Sequence, residues 1–155
     1  MKELFAEFTY QMKGLNLMIG KKATELKIGD KEFFQKTVSE TDIYLYAGIT
    51  GDLNPAHINE EYAKNTFFKG RIAHGMLTAG LISAVIGTKL PGPGTIYLAQ
   101  ELKFTAPVRI GDTIKAEAEI AEINTEKNIA KIKTTCTNQH GDVVLTGLAT
   151  VKPPK

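Results

Sequence analysis

Residues 74–90 read His74-Gly75-Met76-Leu77-Thr78-Ala79-Gly80-Leu81-Ile82-Ser83-Ala84-Val85-Ile86-Gly87-Thr88-Lys89-Leu90. No full charge stands between His74 and Thr88, and most residues are apolar or small. The run is too short for a membrane span, which takes roughly 20 apolar residues. It is too long for an ordinary strand, and its apolar residues do not alternate with polar ones. A helix apolar on nearly every face belongs inside something. About 17 residues at ~1.5 Å rise make a rod of about 25 Å. Glycines 75, 80 and 87 each lower helix propensity by about 1 kcal/mol, a cost that close packing against sheet backbone offsets. The stretch predicts a long central buried helix wrapped by the remaining elements.

Downstream of the rod the chain alternates. Pro91-Gly92-Pro93-Gly94 is a rigid loop. Ile96, Leu98, Gln100, Leu102 and Phe104 then share one face of a strand that ends before Pro107. Ile114, Ala116, Ala118 and Ile120 alternate with Lys115, Glu117 and Glu119, and Ile132, Thr134 and Cys136 with Lys131, Lys133 and Thr135. Turns at Gly111-Asp112 and His140-Gly141-Asp142, a hairpin loop over 124–128 and a last strand over 143–151 complete the pattern. Half-buried alternation with short turns describes an antiparallel sheet with one wet face. Upstream, Lys27-Ile28-Gly29-Asp30-Lys31 reads as a turn and residues 32–38 as a strand. Ser39 and Asp42 form a capping pattern for a helix that stops near Gly48, and Asn59 caps a short helix over 60–63. Residues 66–72 connect it to the rod and carry Phe67 and Phe68. The fold class is α+β: a curved antiparallel sheet of about five strands around one long apolar helix.

The chain has 155 residues, 43% hydrophobic and 23% charged, the size and balance of one globular domain. A net charge of +2 with no basic stripe argues against nucleic-acid binding. Lys21-Lys22 and the Lys131/Lys133 pair read as solvated faces. Cys136 stands alone, so no intramolecular disulfide or Cys-rich metal site is expected. Glu3 and Glu7 interrupt residues 1–20, which do not form a secretory signal. A reducing, cytoplasmic setting is therefore expected. Leu4, Phe5, Phe8, Met12, Leu15 and Ile19 follow helical spacing. They predict an amphipathic helical extension over 1–22, ahead of a domain over 23–155. Its polar face is not strongly basic, so packing on the domain or across a subunit contact is preferred to a membrane surface.

Chemistry concentrates in Thr50-Gly51-Asp52-Leu53-Asn54-Pro55-Ala56-His57. Pro55 stiffens the chain and biases Asn54 away from helix. A carboxylate and an imidazole on a stiff loop suit activation of water, since imidazole titrates near neutrality. Asp52 and Asn54 are also ordinary turn and cap residues, and His57 fits a satisfied histidine at the core edge. The residues alone leave both readings open. His57, His74 and His140 show no metal-motif spacing, so no metal site is expected. Ser83 lacks the G-x-S-x-G elbow of a hydrolase nucleophile. At the rod entry, Gly75 leaves amides at a positive helix end free to meet an oxygen that gains charge. Read alone, Gly75 is better explained by close packing against a strand.

The chain resembles the MaoC-like (R)-specific enoyl-CoA hydratases, also called hydratase 2. The resemblance rests on Tyr46-Ala47-Gly48-Ile49-Thr50-Gly51-Asp52-Leu53-Asn54-Pro55-Ala56-His57, with D-x-N-P-x-H joined to a downstream His74-Gly75-Met76. It extends through Leu90-Pro91-Gly92-Pro93-Gly94-Thr95-Ile96-Tyr97-Leu98 and residues 104–112, covering about 25–153. It implies a hot-dog fold and a homodimer joined edge to edge, with active sites near the interface. It also implies reversible syn addition of water to a trans-2-enoyl-CoA, giving an (R)-3-hydroxyacyl-CoA. Asp52 and His57 match the family's catalytic pair, and Ser83 falls where some members place a polar pocket residue. The Gly75 N–H is then the expected oxyanion donor, with Asn54 and His74 in support. No metal or redox cofactor is implied, coenzyme A being part of the substrate. Two rivals share the fold: a 3-hydroxyacyl-carrier-protein dehydratase and a non-catalytic acyl-CoA-binding regulator. Arg71, Lys69 and Arg109 are candidates to meet either a carrier protein or CoA phosphates. A thioesterase has a different motif and ranks below both.

Overall fold

The computed structural model describes residues 19–155. The predicted N-terminal helix therefore lies almost wholly outside the described residues. Of the expected extension only 19–22 are described, and they are irregular chain rather than helix. The amides of Gly20 and Lys21 donate to the carbonyls of Pro93 and Pro91, which seats this segment on the Pro-Gly loop.

Five strands form one antiparallel sheet: β1 (Lys31–Thr37), β2 (Ile96–Phe104), β3 (Thr113–Asn124), β4 (Ile129–Thr137) and β5 (Val143–Lys152). Their spatial order is β1-β3-β4-β5-β2, so β1 and β2 are the edges. The alternation read from β3 and β4 holds. Ile114, Ala116, Ala118 and Ile120 are buried, as are Ile132, Thr134 and Cys136 on the neighbouring strand. The central helix α4 (Gly75–Thr88) packs chiefly on β3 and β1. Alanines 116 and 118 keep that seat shallow, while Leu81, Ile82, Val85 and Ile86 fill it.

Three expectations are corrected. First, α4 is not enclosed on all sides. Met76, Gly80, Ser83 and Gly87, at helical spacing, form an exposed stripe opposite the buried face. A Cβ added at Gly80 or Gly87 would meet nothing within 4 Å, so those glycines admit no sheet backbone. Only Gly75 lies tight, where a Cβ would stand 2.8 Å from Cε1 of Phe104.

Second, the single apolar face expected of β2 is broken. The β2–β5 register shifts between Tyr97 and Ala99. Tyr97, Gln100, Leu102 and Phe104 lie opposite Val151, Ala149, Gly147 and Leu145 of the inner face. A one-residue slip changes the face of everything beyond it. Ile96 and Leu98 accordingly remain 58% and 50% exposed.

Third, helix α1 (Glu40–Thr50) runs past Gly48 and stops at Gly51, whose φ of 77° is the left-handed conformation that ends helices. Its start is as read: Ser39 and Asp42 close a reciprocal capping box. Two one-turn helices follow, α2 (Pro55–Ile58) and α3 (Glu60–Ala63), the latter capped by Asn59.

Candidate active site

The site begins where α1 ends. Gly51 turns the chain, and Thr50 Oγ1 accepts the amide of Asp52 at 3.2 Å. The carboxylate of Asp52 accepts the amide of Asn54 at 3.2 Å, and Oδ1 of Asn54 accepts the amide of Ala56 at 3.1 Å. Asn54 is thus the N-cap of α2 and Pro55 its first residue, the position where a missing N–H costs nothing. The expected stiff loop is therefore only three residues long, and His57 sits on a helical turn. There Nδ1 of His57 lies 2.9 Å from the carbonyl of Ile72. A carbonyl can only accept, so Nδ1 carries the proton, and Nε2 of the neutral ring keeps its lone pair.

His74 is the N-cap residue of α4, yet its side chain makes no capping bond. Ser, Thr, Asp or Asn at that place typically adds about 1 kcal/mol. The imidazole of His74 instead donates from Nε2 to the carbonyl of Asp52 at 3.0 Å. Its ring stacks on His57 with centroids 3.9 Å apart and on Tyr46 at 4.8 Å. Asp52, His57 and His74 each bring one potential ligand atom within 4.8 Å of the others, a set able to hold a metal ion that the spacing in sequence did not suggest. In both imidazoles one nitrogen is already engaged by a carbonyl.

A cavity of about 360 Å³ opens beside this cluster, bounded by His57, Ile72, Gly75, Thr78, Phe104 and Val144. The uncapped tip of α4 reaches it at Gly75. First-turn amides have no partner within their own helix and sit at its positive end. Of the residues singled out from sequence, Asp52, His57, His74 and Gly75 come together. Asn54 is exposed and acts as a cap. Ser83 lies on the open stripe of α4, away from the cavity of this chain. Arg71 is spent on an internal tie, bonding to Glu40, Glu60 and the hydroxyl of Tyr44. Arg109 donates to the carbonyl of Phe68. Sequence reasoning missed Thr78 and Phe104. Thr78 stands three residues after Gly75, on the same helical face, a signal that was available. The contact of Phe104 with Gly75 bridges 29 positions and leaves no local trace.

An antiparallel five-stranded sheet wrapped on one helix, with this site at the helix tip, is the hot-dog fold. The model of the MaoC like domain matches residues 25–143. The chain belongs to that family. It is 56% identical over 130 residues to an (R)-specific enoyl-CoA hydratase of Rhodospirillum rubrum, covering 84% of this chain and 90% of that one. It is 50% identical over 131 residues to a 3-hydroxybutyryl-CoA dehydratase of Methylorubrum extorquens, covering 84% and 83%. The solved structure of R-hydratase PhaJ1 from Pseudomonas aeruginosa, unliganded, superposes with a TM-score of 0.82 at 46% identity, covering 88% of this chain and 87% of that one.

Proposed function

We propose that this protein is an (R)-specific enoyl-CoA hydratase, adding water reversibly to a trans-2-enoyl-CoA. One observation carries the reading: the imidazole of His57 and the carboxylate of Asp52 lie within 4.8 Å of each other, and His57 shares the wall of one cavity with Gly75 at an uncapped helix tip. The names of the two relatives describe opposite directions of one hydration equilibrium, which supports it.

Asp52 and His57 hold one water between them. As its oxygen bonds to the β-carbon, His57 Nε2 takes a proton and the π electrons move toward the thioester oxygen. The Gly75 N–H stabilises that oxygen, a contribution typically worth about 10²–10³ in rate. The proton is passed through Asp52 to the α-carbon on the same face, so both groups end as they began. This chemistry calls on no redox cofactor, and polarisation by the helix tip stands where another enzyme would use a metal. Asn54 supports the loop as a cap, and Ser83 takes no part within one chain.

A homodimer fits the surface. Edge strand β2 leaves Ile96 and Leu98 exposed, and the Met76–Gly80–Ser83–Gly87 stripe of α4 is open. A second copy joined along β2 would cover apolar surface that a monomer leaves wet. Among the described residues no helix is long and apolar enough to cross a membrane.

The deciding experiment is incubation with crotonyl-CoA, following loss of the conjugated thioester and the chirality of the product. An (R)-3-hydroxybutyryl product is expected. No turnover, or an (S) product, overturns the assignment.

A further inference from the structure

We infer that His74 is a positioning residue that locks the Asp52 loop onto the tip of α4 through its Nε2–H bond to the Asp52 carbonyl. The inference rests on the hydratase reading of the same site. Asp52 is exposed, so packing does not hold it. Among the described residues, every other hydrogen bond made by residues 51–54 goes to a residue within four positions. Local bonds shape the loop, and Ala56 and His57 tie the turn after it to Ile72, but none of these bonds reaches the Asp52 peptide itself. The bond from His74, across 22 positions at 3.0 Å, does that.

The side chain is suited to the task. His74 is 1% exposed and packs against the rings of both His57 and Tyr46. Its own backbone starts α4, next to Gly75. One residue thus references three parts of the site to each other: the carboxylate loop by a hydrogen bond, the base by ring stacking, and the helix tip by covalent adjacency. It also explains the uncapped helix. A capping side chain at position 74 would turn to the amides of Met76 or Leu77 and leave the Asp52 carbonyl without its donor.

Two substitutions separate the hydrogen bond from the stack. His74→Phe keeps a ring and loses the donor, whereas His74→Gln keeps an N–H at the same reach and loses the ring. A misplacement of about 1 Å costs on the order of 10²-fold in rate. For crotonyl-CoA, His74→Phe is expected to lower kcat by about 10–100-fold with KM within about threefold, and His74→Gln to recover to within about tenfold of wild type. Because His74 acts through Asp52, adding His74→Phe to Asp52→Asn should lower kcat by less than about twofold further. Should His74→Phe fail to fold, His74→Leu takes its place. A folded His74→Phe or His74→Leu with wild-type kcat, a His74→Gln no better than either, or full additivity with Asp52→Asn overturns the inference. Inactive wild-type protein would instead sink the hydratase reading itself.

Discussion

The Nδ1–H of His57 donates to the carbonyl of Ile72 at 2.9 Å, and this one bond leaves the other nitrogen of the neutral ring with its lone pair free. Ile72 lies in the connection before α4, so the imidazole is anchored to the segment that carries the helix tip. Its partner Asp52 is exposed and contributes little to stability. Asp52→Asn should therefore change stability by less than about 0.5 kcal/mol while turnover of crotonyl-CoA falls by about 10²–10⁴-fold. His57→Ala should lose turnover on the same scale. Thermal melts and initial rates check both, and near-wild-type rates in either variant remove it from the mechanism.

Two roles can be told apart at Gly75: packing against Phe104 and the oxyanion binding proposed for its N–H. A Cβ there would stand 2.8 Å from Cε1 of Phe104. Gly75→Ala should thus cost about 1–3 kcal/mol through overpacking and, because the new methyl crowds the approach to a retained N–H, lower turnover of crotonyl-CoA. Adding Phe104→Leu removes the obstructing ring, so the melting temperature should recover while turnover stays low. Recovery of both would confine Gly75 to packing.

Stability should fall in acid along a limb set partly by Asp42. Burial raises the pKa of this carboxyl, but the amide and hydroxyl of Ser39, each at 2.8 Å, and the ammonium of Lys36 at 3.1 Å together hold it below its ordinary 3.8. Because the folded value is the lower one, the contribution is complete above pH 3.8 and fades as pH drops through the depressed value. Asp42→Asn, which also breaks the capping box of α1, should cost about 1 kcal/mol at neutral pH. Its melting temperature should converge with wild type as pH approaches the depressed range. A constant gap across the titration would show that the charge of Asp42 is not what stabilises α1.

Cys136 should be inert in the folded protein. It is fully buried under α4, and burial pushes its thiol up to about 12. At pH 8 the thiolate fraction is on the order of 10⁻⁴, and the thiolate is the reactive form. An aromatic disulfide reagent should release no chromophore from native protein and one equivalent after unfolding in guanidinium. Reaction at the rate of a free thiol in the native state would mean that β4 opens readily.

What was legible beforehand has a common origin. The Ser39–Asp42 box and the cap at Asn59 are closed by residues three positions apart. The alternation of β3 and β4 follows from the pleat of each strand alone. Asp52, His57 and Gly75 stood out because the D-x-N-P-x-H and H-G-M motifs resemble a known pattern. The misreadings share an origin too. Gly48 and Gly51 are both helix breakers by composition, and only the geometry of the turn into Asp52 selects the second. The slip at Tyr97/Ala99 depends on how β2 meets β5, so strand periodicity could not reveal it.

Taken alone, the amino-acid order set most of the elements and the fold class, and it singled out Asp52 and His57 as candidates through the resemblance their motif carries. Backbone propensity, capping and side-chain periodicity act over a few residues and are written where they act. Tertiary packing decided the rest: the open stripe on α4, the Phe104 ring against Gly75, the His74 bond to Asp52 and the cavity they border. The His74–Asp52 and Gly75–Phe104 contacts span 22 and 29 positions, and each forms only once sheet and helix have placed both partners.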